Sequence, residues 1–326
     1  MKSNDDRIER GMGARPVLAA VLLLLASQSL SCASWARSEA FLAGREVGRI
    51  QDESLREISG IAASRRHPGV LYVPNNSGDT ARIFALNEKA ELLGVCHIRG
   101  ATNRDWEDIA VGPGPDPNQH YLYIGDNARR RPEIVVYRVP EPKVNATARF
   151  GQMTTEAAEA IRLAYPDGPR DAETLLLDPL TRDLYIISKR DLTPRVYRAA
   201  YPQSTTQPTR LEHVAVLPLG SFPTGGDVSP DGRRVIVRGM FHAMLWERPA
   251  GERAAHDGDR AEGPAPLWHA FANKPIGLPI AQEPQGEAIC FDSAGRGYFT
   301  ISEGRNAPLY YFAPTEPNAP PPEMPP

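Results

Sequence analysis

Apolar residues in this 326-residue chain fall in short runs, each bounded by a polar, turn-forming cluster. Such runs read as strands. Aligning the chain with itself shows that they recur in a fixed order. Five segments open near an acidic residue and continue into an apolar strand: 56–62, 106–111, 172–177, 226–230 and 286–291. The acids stand at Glu57, Glu107, Glu173, Asp227 and Glu287, so successive spacings are 50, 66, 54 and 60 residues. A second run follows each of them, at 70–73, 121–124, 184–187, 234–237 and 297–301. A third follows at 81–85, 134–138, 195–198, 243–246 and 308–312. The intervening turns, such as Asp178-Pro-Leu-Thr181 and Ser229-Pro-Asp-Gly232, place proline early and a small or polar residue late.

Repeats of 50 to 66 residues with this strand order predict an all-β fold, a five-bladed β-propeller with four strands per blade. A two-sheet sandwich is the bland alternative, and a sixth blade would need a sixth motif, which the chain does not show. Fourth strands are expected near 92–98, 160–165, 211–217 and 267–271, but the last repeat runs into a proline-rich tail that cannot continue a sheet. One orphan strand, 42–50, precedes the first repeat. Supplied to the last blade, it would close the ring, cover an open edge and bring the count to twenty strands.

The first 32 residues read differently. Lys2, Arg7, Arg10 and Arg15 flank an apolar run over 16–26 that is too short to span a bilayer and suits a signal-peptide core. Ser29-Leu30-Ser31-Cys32 resembles a bacterial lipoprotein signal, with leucine one place late, so lipidation at Cys32 and simple cleavage both stay open. The expected division is a signal peptide over 1–32, a linker over 33–40, the propeller over 41–313 and a disordered tail over 314–326. The protein is then exported, to the cell envelope or beyond, and a lipid on Cys32 is its only expected tie to a membrane. A monomer is expected. A net charge of −3 without a basic stripe excludes a nucleic-acid face. Cys96 and Cys290 lie in apolar strands and read as buried free thiols.

In a propeller the inner strands line a central channel, and their starts share a rim with the ends of the second strands. Two sets of side chains are therefore expected to converge. The first is the acidic ring, Glu57, Glu107, Glu173, Asp227 and Glu287. The second includes Asn76, Asp79, Asp126, Asn127, Lys189 and Glu303, proposed to bind a ligand, with Lys189, Arg238, His242 and Arg305 as candidate catalytic groups. Five carboxylates around a narrow channel repel one another. A hard divalent cation, protonation or pairing with basic residues could offset this, and Ca²⁺ is the natural ion for an exported protein. Equally, a carboxylate opening each first strand could accept backbone N–H groups of the next blade and staple the ring.

At these residues the chain resembles the calcium-dependent apyrase family, five-bladed propellers in which an acidic or hydroxyl residue from each first strand converges on an axial Ca²⁺. The resemblance implies Glu57, Glu107, Glu173 and Glu287 near the ion, with Asp227 where that family tends to have serine. The basic residues that contact nucleotide in that family have no comparable arrangement here, so nucleotidase activity is not implied. More loosely, Glu57-Ile-Ser-Gly60 and the Ser-Pro-Asp-Gly turn resemble exported phytase-like, esterase-like and SdiA-regulated propellers. No Gly-x-Ser-x-Gly elbow, phosphate-binding glycine loop or His-Glu-x-x-His helix occurs. Two functions are thus expected in competition. One is a cation-holding propeller that recognises a small molecule or protein on its rim. The other is a metal-assisted hydrolase of phosphoesters or esters, using the same acidic ring.

Overall fold

A computed structural model describes residues 38–127, 131–218, 220–251 and 263–316. The signal-peptide and linker assignments over 1–37 and the end of the tail lie outside the described residues.

Within them the chain is an all-β, five-bladed β-propeller. Strand β1 (Arg45–Arg49) comes first and is used last. Blade one is β2 (Ala62–Ala63), β3 (Val70–Pro74), β4 (Arg82–Asn87) and β5 (Leu92–His97), from the axis outward. Blade two follows as β6 (Trp106–Pro113), β7 (His120–Asp126) and β8 (Glu133–Pro140). The chain then steps back to lay β9 (Gly151–Thr154) parallel to β5 before returning as β10 (Glu159–Ala164), the outer strand of blade two. Blade three is β11 (Ala172–Leu177), β12 (Leu184–Ser188), β13 (Arg195–Ala199) and β15 (Glu212–Val216). Between its last two strands β14 (Thr209–Arg210) pairs parallel with β10.

Blade four is β16 (Pro223–Val228), β17 (Arg234–Gly239), β18 (His242–Glu247) and β19 (Ile276–Leu278). Blade five is β20 (Gly286–Phe291), β21 (Tyr298–Ser302) and β22 (Pro308–Phe312), completed by β1. That closure matches the reading of the orphan strand: β1 runs antiparallel to β22, with Arg45 opposite Tyr311 and Arg49 opposite Pro308. A bridge between Phe41 and Pro314 extends it by one pair, just past the expected boundary at 313.

Two expectations are corrected. The described residues form 22 strands rather than twenty, because β9 and β14 each add a fifth strand to a blade. The run 267–271 is a 3-10 helix, Leu267–Ala272, and β19 takes the outer place of blade four instead. Its buried side chains are Leu267, Ala270 and Phe271, a spacing of three and four that suits a helix face rather than a pleat. Phe271 meets Trp246 edge-on, with ring centroids 5.3 Å apart.

The inner strands are buried on both faces, which is why they read as apolar runs rather than alternations. The core lies in slabs between neighbouring blades. Ile58, Leu71 and Phe84 meet Cys290, Phe299 and Leu309 between blades one and five. Both Cys96 and Cys290 are buried free thiols. Among the described residues, no helix is long and apolar enough to cross a membrane.

Candidate functional site

The chemistry of the channel is decided by register. In blade two Trp106 pairs with Asp126 and Asp108 with Gly125, so Glu107 is the extra residue of a β-bulge. The same skip leaves Glu173 between Ala172 and Thr174, and Glu287 between Gly286 and Ala288. In blade four the skipped residue is Thr224, between Pro223 and Gly225. Blade one bridges Ile58 to Asn75 and pairs Ala62 with Tyr72, which again leaves one residue extra. Glu107 lies three residues before Ala110, the partner of Tyr123. Ser59 lies three before Ala62, the partner of Tyr72, and takes the corresponding place.

The ring at this level is therefore Ser59, Glu107, Glu173, Thr224 and Glu287, all buried. Its three glutamates coincide with the expected ring. Glu57 instead lies two residues outside it, exposed at the mouth, with its carbonyl accepting the Asn76 N–H at 2.7 Å. Asp227 lies three residues further down its strand. It accepts the N–H of Val228 at 2.8 Å and, across the blade junction, that of Phe291 at 2.9 Å. Arg65 of blade one reaches it at 3.2 Å and also donates to the carbonyls of Val228 and Asp292. The missed Asp108 does the same kind of work, accepting from Ile109 at 2.8 Å and from Leu175 of blade three at 3.0 Å. Asp108 and Asp227 are staples, one of the roles expected for the ring acids.

The three ring glutamates have other surroundings. Glu107 accepts from the Asn76 carboxamide at 3.3 Å, Glu173 from the Lys189 ammonium, and Glu287 from the Gln285 carboxamide at 2.9 Å. Asn103 donates to the carbonyls of Asn75 and Asn76, 3.0 Å each, which holds Asn76 against blade two. Burial raises Glu107, and the negative charges of Glu173 and Asp105 add to it while Lys189 opposes. Burial also raises Glu173, against the pull of Lys189 and with a push from Glu287. Glu303, at the end of β21, is pushed up to about 7 by burial and then by Glu287 and Glu57. The mouth is thus an anionic cluster in which Lys189 is the cation that touches the ring.

Besides the buried Thr174 hydroxyl next to Glu173, two polar groups here have no hydrogen-bond partner among the described residues. One is the Ser59 hydroxyl, on a residue 3% exposed; the other is the Asn127 carboxamide, on a residue 1% exposed. Asn127 follows Asp126, the partner of Trp106, as Asn76 follows Asn75, the partner of Ile58, and Lys189 follows Ser188, the partner of Ala172. Buried polar atoms without partners are costly, and they mark places where a ligand can supply the missing contact. The Thr224 hydroxyl is spoken for, donating to the Gly286 carbonyl at 3.1 Å.

The remaining sequence candidates scatter. Arg238 is fully buried and ion-paired with Glu283, so it ties blade four to blade five rather than lining the rim. A side chain on Gly286 would run into that guanidinium. Burial and Arg238 push His242 down to about 4, leaving a neutral imidazole beside Ser221. Asp79 pairs with Arg82 at 2.9 Å and accepts from Asn75, closing its own turn. Asp126 is buried, 3.9 Å from Arg131, and Arg305 is exposed in the turn after β21. Of the proposed catalytic set, only Lys189 reaches the ring.

No family model matches the chain, and no curated protein matches it. Solved structures do. A gluconolactonase from Xanthomonas campestris superposes at a TM-score of 0.43 and 13% identity, over 86% of this chain and 97% of that one. A luciferin-regenerating enzyme gives 0.40 and 11%, over 82% and 92%. The Pan2 WD40 domain of Neurospora crassa gives 0.44 and 7%, over 86% and 98%. Likenesses this distant carry no argument about activity, and the apyrase resemblance rests on the residues named above alone.

Proposed function

We propose that this chain is an exported β-propeller that holds a calcium ion at one mouth of its channel and recognises a ligand on the adjoining rim. The reading is carried by Glu107, Glu173 and Glu287 in one bulge register with the unpartnered Ser59 hydroxyl. All four offer hard oxygen donors, which suit Ca²⁺. Among the described residues no three Asp, Glu, His or Cys side chains are grouped closely enough to form a finished cage. An ion would draw the glutamates inward, away from Asn76, Lys189 and Gln285. It would also supply the positive charge that the cluster lacks. Export, with or without a lipid on Cys32, enters from the N-terminal sequence.

A ligand bound only by the native state must stabilise it, so added calcium should raise the melting temperature and EDTA should lower it. Glu107→Gln should abolish the difference. A melt indifferent to both reagents overturns the reading.

A second reading, metal-assisted hydrolysis, is favoured by Glu303. A carboxyl pushed up to about 7 is poised to take or give a proton near neutral pH. Calcium-dependent turnover of nitrophenyl acetate or phosphate that disappears in Glu303→Gln would support it.

A further inference from the structure

The mouth of the channel is not equally polar all round. Among the described residues the large apolar side chains most exposed are Leu192 and Phe241, each at 76%; Leu42, Val216, Leu180 and Phe222 follow at 52%, 48%, 47% and 37%. Leu192, Val216, Phe222 and Phe241 lie at the mouth end of blades three and four, whereas Leu42 precedes β1 and Leu180 is in the β11–β12 turn. Leu192 is in the loop after Lys189, and its carbonyl accepts the N–H of Gly220 at 2.9 Å. Val216 ends β15 opposite Arg195, the first residue of β13. Ser221 packs against Gly239, at the base of the turn that carries Phe241. Phe222 joins the two in a left-handed backbone, φ +41°, a conformation that a bulky residue rarely adopts. Three loops thus form one strip from Leu192 through Phe222 to Phe241. Lys189 stands at one end of it and Met240, next to Phe241, at the other.

Across the mouth, blades five and one present Glu303 and Glu57. The strip abuts the anionic cluster; a scatter of surface hydrophobics would need no such placing. We propose that the ligand of this rim is a soluble amphiphilic anion. Its carboxylate or phosphate head completes the coordination of the calcium ion, and its single apolar body lies along Leu192, Phe222 and Phe241. The inference rests on the calcium reading above. A second observation beside the acidic cluster marks the head-group end: Ser59 and Asn127, both buried, hold polar atoms that lack partners among the described residues. Calcium supplies the charge complementarity, because the cluster alone would repel an anion. A membrane surface fits worse, since seating the strip in lipid would press the exposed Glu57 and the half-buried Glu303 against it.

Calorimetry on the full chain, with octanoate and acetate as probes in calcium and in EDTA, tests this. Octanoate should bind in calcium, acetate should bind far more weakly, and EDTA should abolish both. Phe241→Ser should weaken octanoate roughly ten-fold or more, as expected for uncovering an aromatic side chain. Leu180→Ser, an equally conservative change to an exposed residue in the β11–β12 turn at the opposite end, should leave binding unchanged. Octanoate binding that persists in EDTA or ignores Phe241→Ser overturns the proposal. So does calcium-dependent capture on phosphatidylglycerol vesicles without octanoate binding. A chain that shows the calcium melting shift yet binds no octanoate loses this inference alone; one without the shift loses the calcium reading as well.

Discussion

Two sets of carboxylates stand on the inner strands, and they live in opposite conditions. At the mouth, Glu107, Glu173 and Glu287 are met by an amide, an ammonium and an amide from flexible side chains. Deeper in, Asp108 and Asp227 each accept two backbone N–H groups, one from the next blade, and Asp227 is also paired with Arg65. Burial raises the pKa in both regions. The difference is in what answers it. Fixed backbone donors on two blades make a carboxylate part of the frame. Movable side-chain donors leave it able to exchange partners, which a site must do. What answers each carboxylate, fixed backbone or movable side chain, separates the two sets.

The comparison breaks most readily on stability. Asp227→Ala leaves Arg65 buried without its charge partner and should cost about 3–5 kcal/mol, read from urea unfolding. Glu107→Gln removes like-charge repulsion and should cost less than about 1 kcal/mol or stabilise the metal-free chain. Equal losses for the two would show that mouth and frame are not distinct.

Acidity sharpens the contrast at intermediate size. Glu303 has its folded pKa at about 7 against an ordinary value of 4.5, so between those limits the folded state holds a proton that the unfolded state has released. Stability must then fall as pH rises through that window. In EDTA the melting temperature should drop from pH 5 to pH 8, and Glu303→Gln should flatten part of the slope. Saturating calcium should flatten it further, because the ion supplies at high pH the charge that protons supply at low pH. A slope of the opposite sign would contradict the anionic cluster.

The smallest expected effect concerns Lys189, which competes with any cation for Glu173. Lys189→Met should tighten calcium by about ten-fold, equivalent to one lost charge contact, as measured by calorimetric titration. Weaker binding instead would assign the lysine a supporting rather than a competing role.

Much of this was legible beforehand. The acid–strand–turn–strand order located the three ring glutamates, and the orphan strand before the first repeat located the closure on β22. The two misplaced acids had one cause. Aligning the repeats on their acids placed Glu57 and Asp227 in the ring. Aligning the apolar runs, Ile61-Ala62-Ala63 on Ile109-Ala110-Val111, would have placed Ser59 there. In blade four nothing in Thr224-Gly-Gly-Asp227 announces which residue the bulge selects. Arg238 failed as a rim residue because Glu283, its partner, lies 45 positions away in a stretch without strand pattern.

By itself the sequence determined the number of blades, their strand order, the strand that closes the ring and the approximate height of the acids in the channel. These follow from local apolar periodicity repeated five times, and each repeat carries its own evidence. Only the tertiary structure decided which acids are frame and which are mouth. A single bulge shifts every residue before it by one place, and the cross-blade N–H groups that Asp108 and Asp227 accept come from strands more than sixty residues away. No local pattern can encode a partner that folding alone brings near.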